Sequence, residues 1–165
     1  MAAGSTYTPL ATQTLGSAAA SVTFSSISGS YTDLVLVCNS KLTTSNTQIR
    51  LQFNGDTASN YSVTLIYGDG TSAGSVRTSN ATSANIGGLA DEFGTTVINL
   101  NNYSNSTTYK TAIARYNFVA PSYSETGAKV CLWRSTSAIT SILVFPTTST
   151  FTTGSTFSLY GIAAA

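Results

Sequence analysis

Carboxylates are the first residues to examine for acid and base chemistry, because the sequence contains no histidine. Without histidine, the chain lacks the group that usually activates a serine or cysteine nucleophile, and the commonest ligand of transition metals. A glycosidase needs two carboxylates that flank one cleft. Here they are scattered, and the adjacent pair Asp91 and Glu92 would point to opposite faces of a strand. We therefore predict no enzyme and no catalytic residue among the six: Asp33, Asp56, Asp69, Asp91, Glu92 and Glu125.

Two loops rich in aspartate and glycine offer oxygen ligands for a metal ion. They read Asn-Gly-Asp at residues 54–56 and Gly-Asp-Gly at residues 68–70. They would hold calcium only if they met in space, and the fixed ligand spacing of a calcium-binding loop is missing. Asparagine, aspartate and glycine are also the residues that build tight turns. We favour the turn interpretation, and predict no metal site and no cofactor.

The two cysteines and the single tryptophan lie in apolar stretches that we expect to be buried. Cys38 and Cys131 are far apart in the sequence, and buried cysteine behaves as a small hydrophobic residue, so we favour free thiols over a disulfide. Trp133 occupies a predicted strand and is expected to anchor the core or a contact between subunits. A platform that stacks on a base or a sugar is the less favoured alternative.

Low charge is the clearest feature of the composition. Only 8% of the 165 residues are charged and the net charge is +1, which leaves no basic stripe for nucleic acid. A polar but nearly uncharged surface repels its own copies little, as suits a protein packed among copies of itself. The first 21 residues contain no basic residue, and no apolar run is long enough for a signal peptide or a membrane span. We expect neither nucleic acid nor a membrane as a partner.

The strongest structural pattern lies in residues 48–67. Ile49, Leu51 and Phe53 alternate with polar residues, and Tyr61 resumes the same two-residue period after a break of turn formers at residues 54–60. Alternation places every second side chain on one face of a strand. We therefore predict a β-hairpin with one buried face.

Similar strands, separated by turn clusters and with no helical period between them, fill the rest of the chain. We expect about eight to ten strands and an all-β fold, an antiparallel β-sandwich of jelly-roll type. Residues 34–38 are continuously apolar, as in a strand covered on both faces. The stretch from residue 71 to Gly88 is rich in glycine, serine, alanine and threonine, so we predict an exposed loop with one weak strand near residues 75–78. Residues 69–94 are the first candidate for a surface that contacts a partner.

Residues 1–20 are predicted to form an N-terminal arm, and residues 21–165 a single β-sandwich domain. The arm is small and polar apart from four bulky anchors, and it could be a frayed end, an extended edge segment or an arm docked on a neighbouring subunit. We favour docking, and expect that removing residues 1–15 weakens attachment without unfolding the domain. The predicted partner-binding residues are Tyr7, Pro9, Leu10 and Leu15.

Several short motifs resemble those of small virion proteins of tailed bacteriophages, described as head decoration, fibre or tail structural proteins. The motifs are RLQFNGD at residues 50–56, SNYS at 59–62 and GSTFSLYGI at 154–162, with TYTPL at 6–10 and YTDL at 31–34. The resemblance implies a non-enzymatic β-sandwich, commonly trimeric, and carries over no catalytic residue. The motif residues would build the hairpin connection and the last strand, with Gly161 where another backbone comes close: Phe53, Asn54, Gly55, Asp56, Asn60, Tyr61, Leu159, Tyr160 and Gly161.

The expected function is therefore that of a capsid decoration, or cement, protein. It would bind the major capsid protein as a homotrimer, stabilise the shell by buried area and strand pairing, and reside in the virion after assembly in the host cytoplasm. The alternative is the head domain of a tail fibre or spike that binds a host-surface glycan, because nine tyrosines and abundant asparagine suit sugar recognition.

Overall fold

The computed structural model describes residues 6–44 and 47–163. Within those residues the chain forms twelve β-strands. They are β1 (Tyr7–Thr14), β2 (Val22–Phe24), β3 (Asp33–Ser40), β4 (Thr47–Phe53), β5 (Tyr61–Gly68), β6 (Ala73–Ala81), β7 (Ala84–Leu89), β8 (Gly94–Asn101), β9 (Lys110–Ala120), β10 (Tyr123–Trp133), β11 (Ile142–Pro146) and β12 (Thr156–Ile162).

The strands form two antiparallel sheets that pack face to face. The larger sheet has eight strands in the order β1-β12-β3-β8-β9-β10-β5-β6, and the smaller has four in the order β2-β11-β4-β7. One hydrophobic cluster contains side chains from both sheets, and a smaller one is formed by Tyr116 and Phe118 of β9 with Ala90, which follows β7. The predicted all-β antiparallel sandwich is confirmed. The jelly-roll connectivity is not confirmed by this strand order.

Alternation explains the core as predicted. Ile49, Leu51 and Phe53 of β4 point inward and are fully buried, while the polar residues between them are more exposed. In β3, Leu34 and Leu36 are fully buried on the inner face, and their neighbours on the other face are also largely covered. The expectation of a strand shielded on both faces is therefore correct for most of β3.

The predicted hairpin of residues 48–67 is wrong in its pairing. Both strands exist, but β4 pairs with β7 and β11 in the smaller sheet, whereas β5 pairs with β6 and β10 in the larger sheet. Residues 54–60 therefore cross from one sheet to the other. Sheets packed face to face are about 10 Å apart, a gap that this connection can span. Asn54 and Gly55 have φ of 53° and 68°, which turn the chain out of β4.

The weak strand predicted near residues 75–78 is confirmed as β6, which is largely exposed, but the expected loop after it is wrong, because residues 84–89 form the mostly buried strand β7. The glycines that indicated a loop instead allow the two sheets to approach closely. A Cβ on Gly87 would lie 2.9 Å from the Thr96 hydroxyl, and one on Gly88 would lie 2.9 Å from the Phe118 ring. A strand with side chains at these positions could not pack against β8 and β9 in this way.

The N-terminal segment is an edge strand of this chain's own sheet over residues 7–14. β1 pairs with β12 from Tyr7 opposite Ile162 to Thr14 opposite Thr156. Leu15, which follows, is buried in the core and donates its backbone N–H to Ser155. Removing residues 1–15 would therefore take a strand and a core residue from the sandwich, contrary to the expectation that the fold stays intact. The first five residues of the predicted arm lie outside the described residues.

Candidate functional site

Four of the motif residues and Trp133 meet where the chain crosses between the sheets. Oδ2 of Asp56 accepts hydrogen bonds from Trp133 Nε1 at 2.6 Å and from Asn60 Nδ2 at 2.9 Å. The Phe53 and Tyr61 rings lie 5.4 Å and 6.4 Å from the Trp133 ring. The hydrogen bond from Asn60 lowers the pKa of Asp56 most, and burial opposes it. This cluster consists of a core anchor, as predicted for Trp133, and a carboxylate that is engaged by protein donors.

Asn54 fastens the same crossing to the loop before β11. Its Oδ1 accepts backbone N–H groups of Thr140 at 2.8 Å and Ser141 at 3.1 Å, and its Nδ2 donates to the Ala138 carbonyl at 2.8 Å. Beside it, Gly55 has a left-handed backbone conformation with φ of 68°, and a Cβ built there would contact nothing within 4 Å. The arrangement is turn chemistry, which is the interpretation that the sequence favoured for this loop.

The motif at the C-terminal end places Leu159 in the core and half-buries Tyr160, whose ring meets that of Tyr7 edge to face at 6.4 Å. Gly161 allows close packing, but not against a backbone as expected. A Cβ there would lie 2.5 Å from the Tyr31 ring, so a side chain fills the space instead.

The predicted partner-binding residues divide between the core and the surface. Leu15 is buried and Leu10 packs against the core, whereas Tyr7 and Pro9 are exposed on the edge strand. Leu10 also lines a groove of about 540 Å³ between β1 and β2, the edge strands of the two sheets. Hydroxyl and amide side chains, among them Gln13, form much of its lining.

The carboxylates described next each accept hydrogen bonds from a different set of donors. Asp69 accepts the backbone N–H groups of its own turn, which lowers its pKa. Glu125 accepts hydrogen bonds from the hydroxyls of Tyr116 and Tyr123. Asp33 caps the Asn102 N–H. Within residues 6–44 and 47–163, no group of three or more cysteine and acidic side chains could hold a metal ion.

The most distinctive surface is the outer face of the eight-stranded sheet, the face turned away from the smaller sheet. Large aliphatic side chains exposed there include Ile66 on β5 at 61%, Ile113 on β9 at 46% and Val130 on β10 at 54%. Val130 lies opposite Ile113, and Ala128, two residues earlier on the same face, lies opposite Ile66. Directly opposite and diagonal neighbours on one sheet face are in contact range, so these residues form one apolar patch.

Charge close to the patch is sparse and basic. Arg115 lies beside the patch, opposite Ala128 and Val97, and Arg77 faces it from β6. Arg115 is the one charged residue lining a broad depression of about 750 Å³ near Ile66. An apolar patch rimmed by polar groups is typical of an interaction surface rather than of a monomer's bare side.

The sequence analysis did not find this patch, although one signal was available. Ile113 is an aliphatic residue among the polar positions of β9, where Thr111 and Arg115 flank it on the same face. In β10 the hydrophobicity of the residues predicts the wrong burial, because Val130 is exposed while Lys129 is buried.

Comparison of the chain with protein-family models, curated proteins and solved structures finds no match. In the part of the chain that the structure describes, no helix is long and apolar enough to cross a membrane.

Proposed function

We propose that the chain is a structural protein of a tailed-bacteriophage virion, a capsid decoration protein that binds the major capsid protein as a homotrimer. The apolar outer face is the observation that carries this proposal. Its exposed aliphatic residues cost free energy in water. Because each is already about half buried, covering the rest of one such side chain stabilises by about half of the roughly 1.5–3 kcal/mol of full burial. The choice of a capsid protein as the partner rests on the resemblance of the motifs at residues 50–56 and 154–162 to those of virion proteins.

The low charge of the chain supports assembly of many copies. With seven basic and six acidic residues in the whole chain, copies placed side by side repel each other little. The outer face lacks the alternating charges that keep an exposed sheet surface from associating. Contacts there would depend on apolar area and on hydrogen bonds from hydroxyl groups.

A pair of valine variants tests the proposal with a matched control. Val130 on the outer face and Val76 on β6 are exposed to 54% and 53%, but the register places Val76 on the opposite face. We expect Val130→Glu to dissociate the trimer and to weaken binding to empty capsids at least about tenfold, the equivalent of 1.4 kcal/mol. Val76→Glu should leave both unchanged. Solution mass and capsid co-sedimentation measure the two effects, and a Val130→Glu protein that stays trimeric and occupies capsids normally would contradict the proposal.

The second candidate is the glycan-binding head domain of a tail fibre or spike. The groove between β1 and β2 favours it, because hydroxyl and amide side chains such as Thr12, Gln13 and Thr23 line it beside Phe24. Copy number separates the two functions: hundreds of copies in each particle indicate decoration, and a handful indicate a fibre. Host-cell binding that Gln13→Ala abolishes, without any capsid binding, would establish this candidate instead.

A further inference from the structure

Lys129 is a buried lysine in an unusual setting. It points inward from β10, between Leu65 and Ala114 of the neighbouring strands, and is only 3% exposed. Its Nζ lies 2.5 Å from Oδ1 of Asn85, a residue of β7 in the smaller sheet. This contact therefore joins the two sheets of the sandwich.

Burial gives Lys129 a larger share of neutral amine than an exposed lysine has. One contact favours the ammonium instead, because the face of the Tyr116 ring lies 4.8 Å from Nζ. The Glu125 carboxylate fixes that ring by accepting a hydrogen bond from the Tyr116 hydroxyl. Burial is the largest effect on the amine and lowers the pKa of Lys129 to about 8, with Arg50 adding to the decrease while Cys131 and Glu125 oppose it. A neutral amine, unlike an ammonium, has a lone pair and is a nucleophile.

Asn85 presents its side-chain carbonyl as an electrophile. Besides Lys129 Nζ, its Oδ1 faces the backbone N–H of Gly87, which donates to it at 3.2 Å. A donor aimed at a carbonyl oxygen stabilises the negative charge that develops there when a nucleophile adds to the carbon. The backbone of Asn85 is held by strand pairing with Arg50, and its carbonyl is contacted by Cys131 Sγ at 3.8 Å.

Lys110, the other buried lysine, faces backbone carbonyls instead of a side-chain amide. Its Nζ donates to the backbone carbonyls of Thr108 at 2.7 Å and Thr136 at 3.0 Å. Backbone carbonyls stabilise an ammonium and offer no leaving group. Lys129 instead faces a carboxamide, whose nitrogen can depart as ammonia.

We propose that Lys129 and Asn85 form an intramolecular isopeptide bond that covalently joins β10 to β7. The neutral Nζ adds to Cγ of Asn85, and the electron pair of the carbonyl moves to Oδ1, where the Gly87 N–H stabilises it. The Cγ–Nδ2 bond then breaks as the carbonyl reforms. One proton of Nζ passes to the departing Nδ2, so the products are a secondary amide and one molecule of ammonia. No electrons are lost or gained, and no further reactant is consumed.

The bond would place a covalent staple between the sheets without a disulfide, and it does not depend on the proposed virion function. A chain that is cross-linked but binds no capsid, or the reverse, separates the two proposals. The cross-link also removes the buried charge, because an amide replaces the amine.

Mass spectrometry of the denatured full-length protein is the primary test. The cross-linked chain is lighter than its sequence by one molecule of ammonia, and a trypsin digest then yields peptide 78–110 joined to peptide 116–134, with no cleavage after Lys129. A succinimide at Asn54-Gly55 has the same mass loss, but it cannot give the branched peptide. The Asn54→Ala variant keeps the mass loss if the isopeptide is its source.

Variants assign the bond to its two residues. We expect Asn85→Ala and Lys129→Met to have the full sequence mass, and Lys110→Met, the control for replacement of a buried lysine, to keep the branched peptide. The wild-type chain decides the question even if a variant fails to fold. The proposal is overturned if wild-type protein, incubated for days above the pKa of Lys129, retains its full mass and is cleaved after Lys129 as completely as after Arg134.

Discussion

Replacing Asp56 by asparagine tests whether the crossing between the sheets depends on a carboxylate. Oδ2 accepts from Trp133 Nε1 and Asn60 Nδ2, and Oδ1 accepts the Ala58 N–H at 2.8 Å. Asparagine has nearly the same shape but only one acceptor oxygen. Its NH2 group would therefore face at least one N–H donor, and that donor would lose its partner.

The cost follows from these three hydrogen bonds. A partly buried donor left unpaired costs about 1–3 kcal/mol, and converting bonds to a charged acceptor into neutral ones costs about 1 kcal/mol more. Asp56 is partly exposed, so water replaces some of the lost bonds. We expect Asp56→Asn to lower the free energy of unfolding by about 2 kcal/mol. Urea denaturation followed by the fluorescence of Trp133, the only tryptophan, reports on the same hydrogen bond.

The effect should depend on pH in one direction. The hydrogen bond from Asn60 leads those that lower the pKa of Asp56 in the folded state. A carboxyl group with a lowered folded pKa stabilises the protein above its unfolded pKa of about 3.9 and loses that contribution as pH falls through the folded value. The stability difference between wild type and Asp56→Asn should therefore shrink below about pH 4.

Asp91→Asn is the matched control, because Asp91 is an exposed aspartate and its replacement should change stability by less than about 0.5 kcal/mol. If Asp56→Asn is no less stable than Asp91→Asn, or if its deficit is the same at acid and neutral pH, the carboxylate does not hold the crossing together.

Two further predictions concern the interior of the sandwich. Cys38 and Cys131 are free and buried, and burial raises the pKa of both thiols, that of Cys131 to about 12. Iodoacetamide should therefore modify neither thiol in the folded protein and both in urea. Rapid labelling of either thiol in the folded protein would refute this. Gly161→Ala places a methyl group against the Tyr31 ring and should cost about 1–3 kcal/mol, much less in a Tyr31→Ala background. An equal cost in both backgrounds would exclude the clash as its cause.

Local alternation predicted the existence of most strands but not their partners. The alternation of Ile49, Leu51 and Phe53 with polar residues is enough to predict a buried face, because side chains alternate along any strand. Whether β4 pairs with β5 depends on the path of the connection. Asn54 and Gly55 turn the chain equally well into a hairpin or across to the second sheet, so the sequence alone could not decide between them.

Glycine misled the loop prediction for the stretch that became β7, since its conformational freedom and its small size give the same sequence signal. At Gly70, with φ of 84°, the freedom matters, and the residue forms the turn between β5 and β6. At Gly87 and Gly88 the size matters, because the neighbouring sheet lies where a Cβ would be. Only the packed structure separates these two uses.

The orientation of β10 produces both candidate sites at once. Its sequence could bury Val130 and Leu132 or, on the other face, Cys131 and Trp133. The second set is buried, because Trp133 packs where the chain crosses between the sheets and donates to Asp56. Lys129 is on the same face as Trp133 and is therefore buried, whereas Val130 faces solvent. Both consequences are unfavourable for an unmodified monomer, since one desolvates an amine and the other exposes an aliphatic side chain. Each proposal relieves one of these costs. A partner on the outer face covers Val130, and an amide between Lys129 and Asn85 removes the amine that would otherwise carry a charge.

The Lys129→Met variant distinguishes the free amine from the cross-link. If the cross-link does not form, Lys129→Met should raise the stability of the chain, because an apolar side chain replaces a buried charge. If the cross-link forms, the same substitution removes a staple that closes a loop of roughly 45 residues and costs up to about 4 kcal/mol. The sign of the stability change in Lys129→Met therefore distinguishes a buried amine from an isopeptide bond.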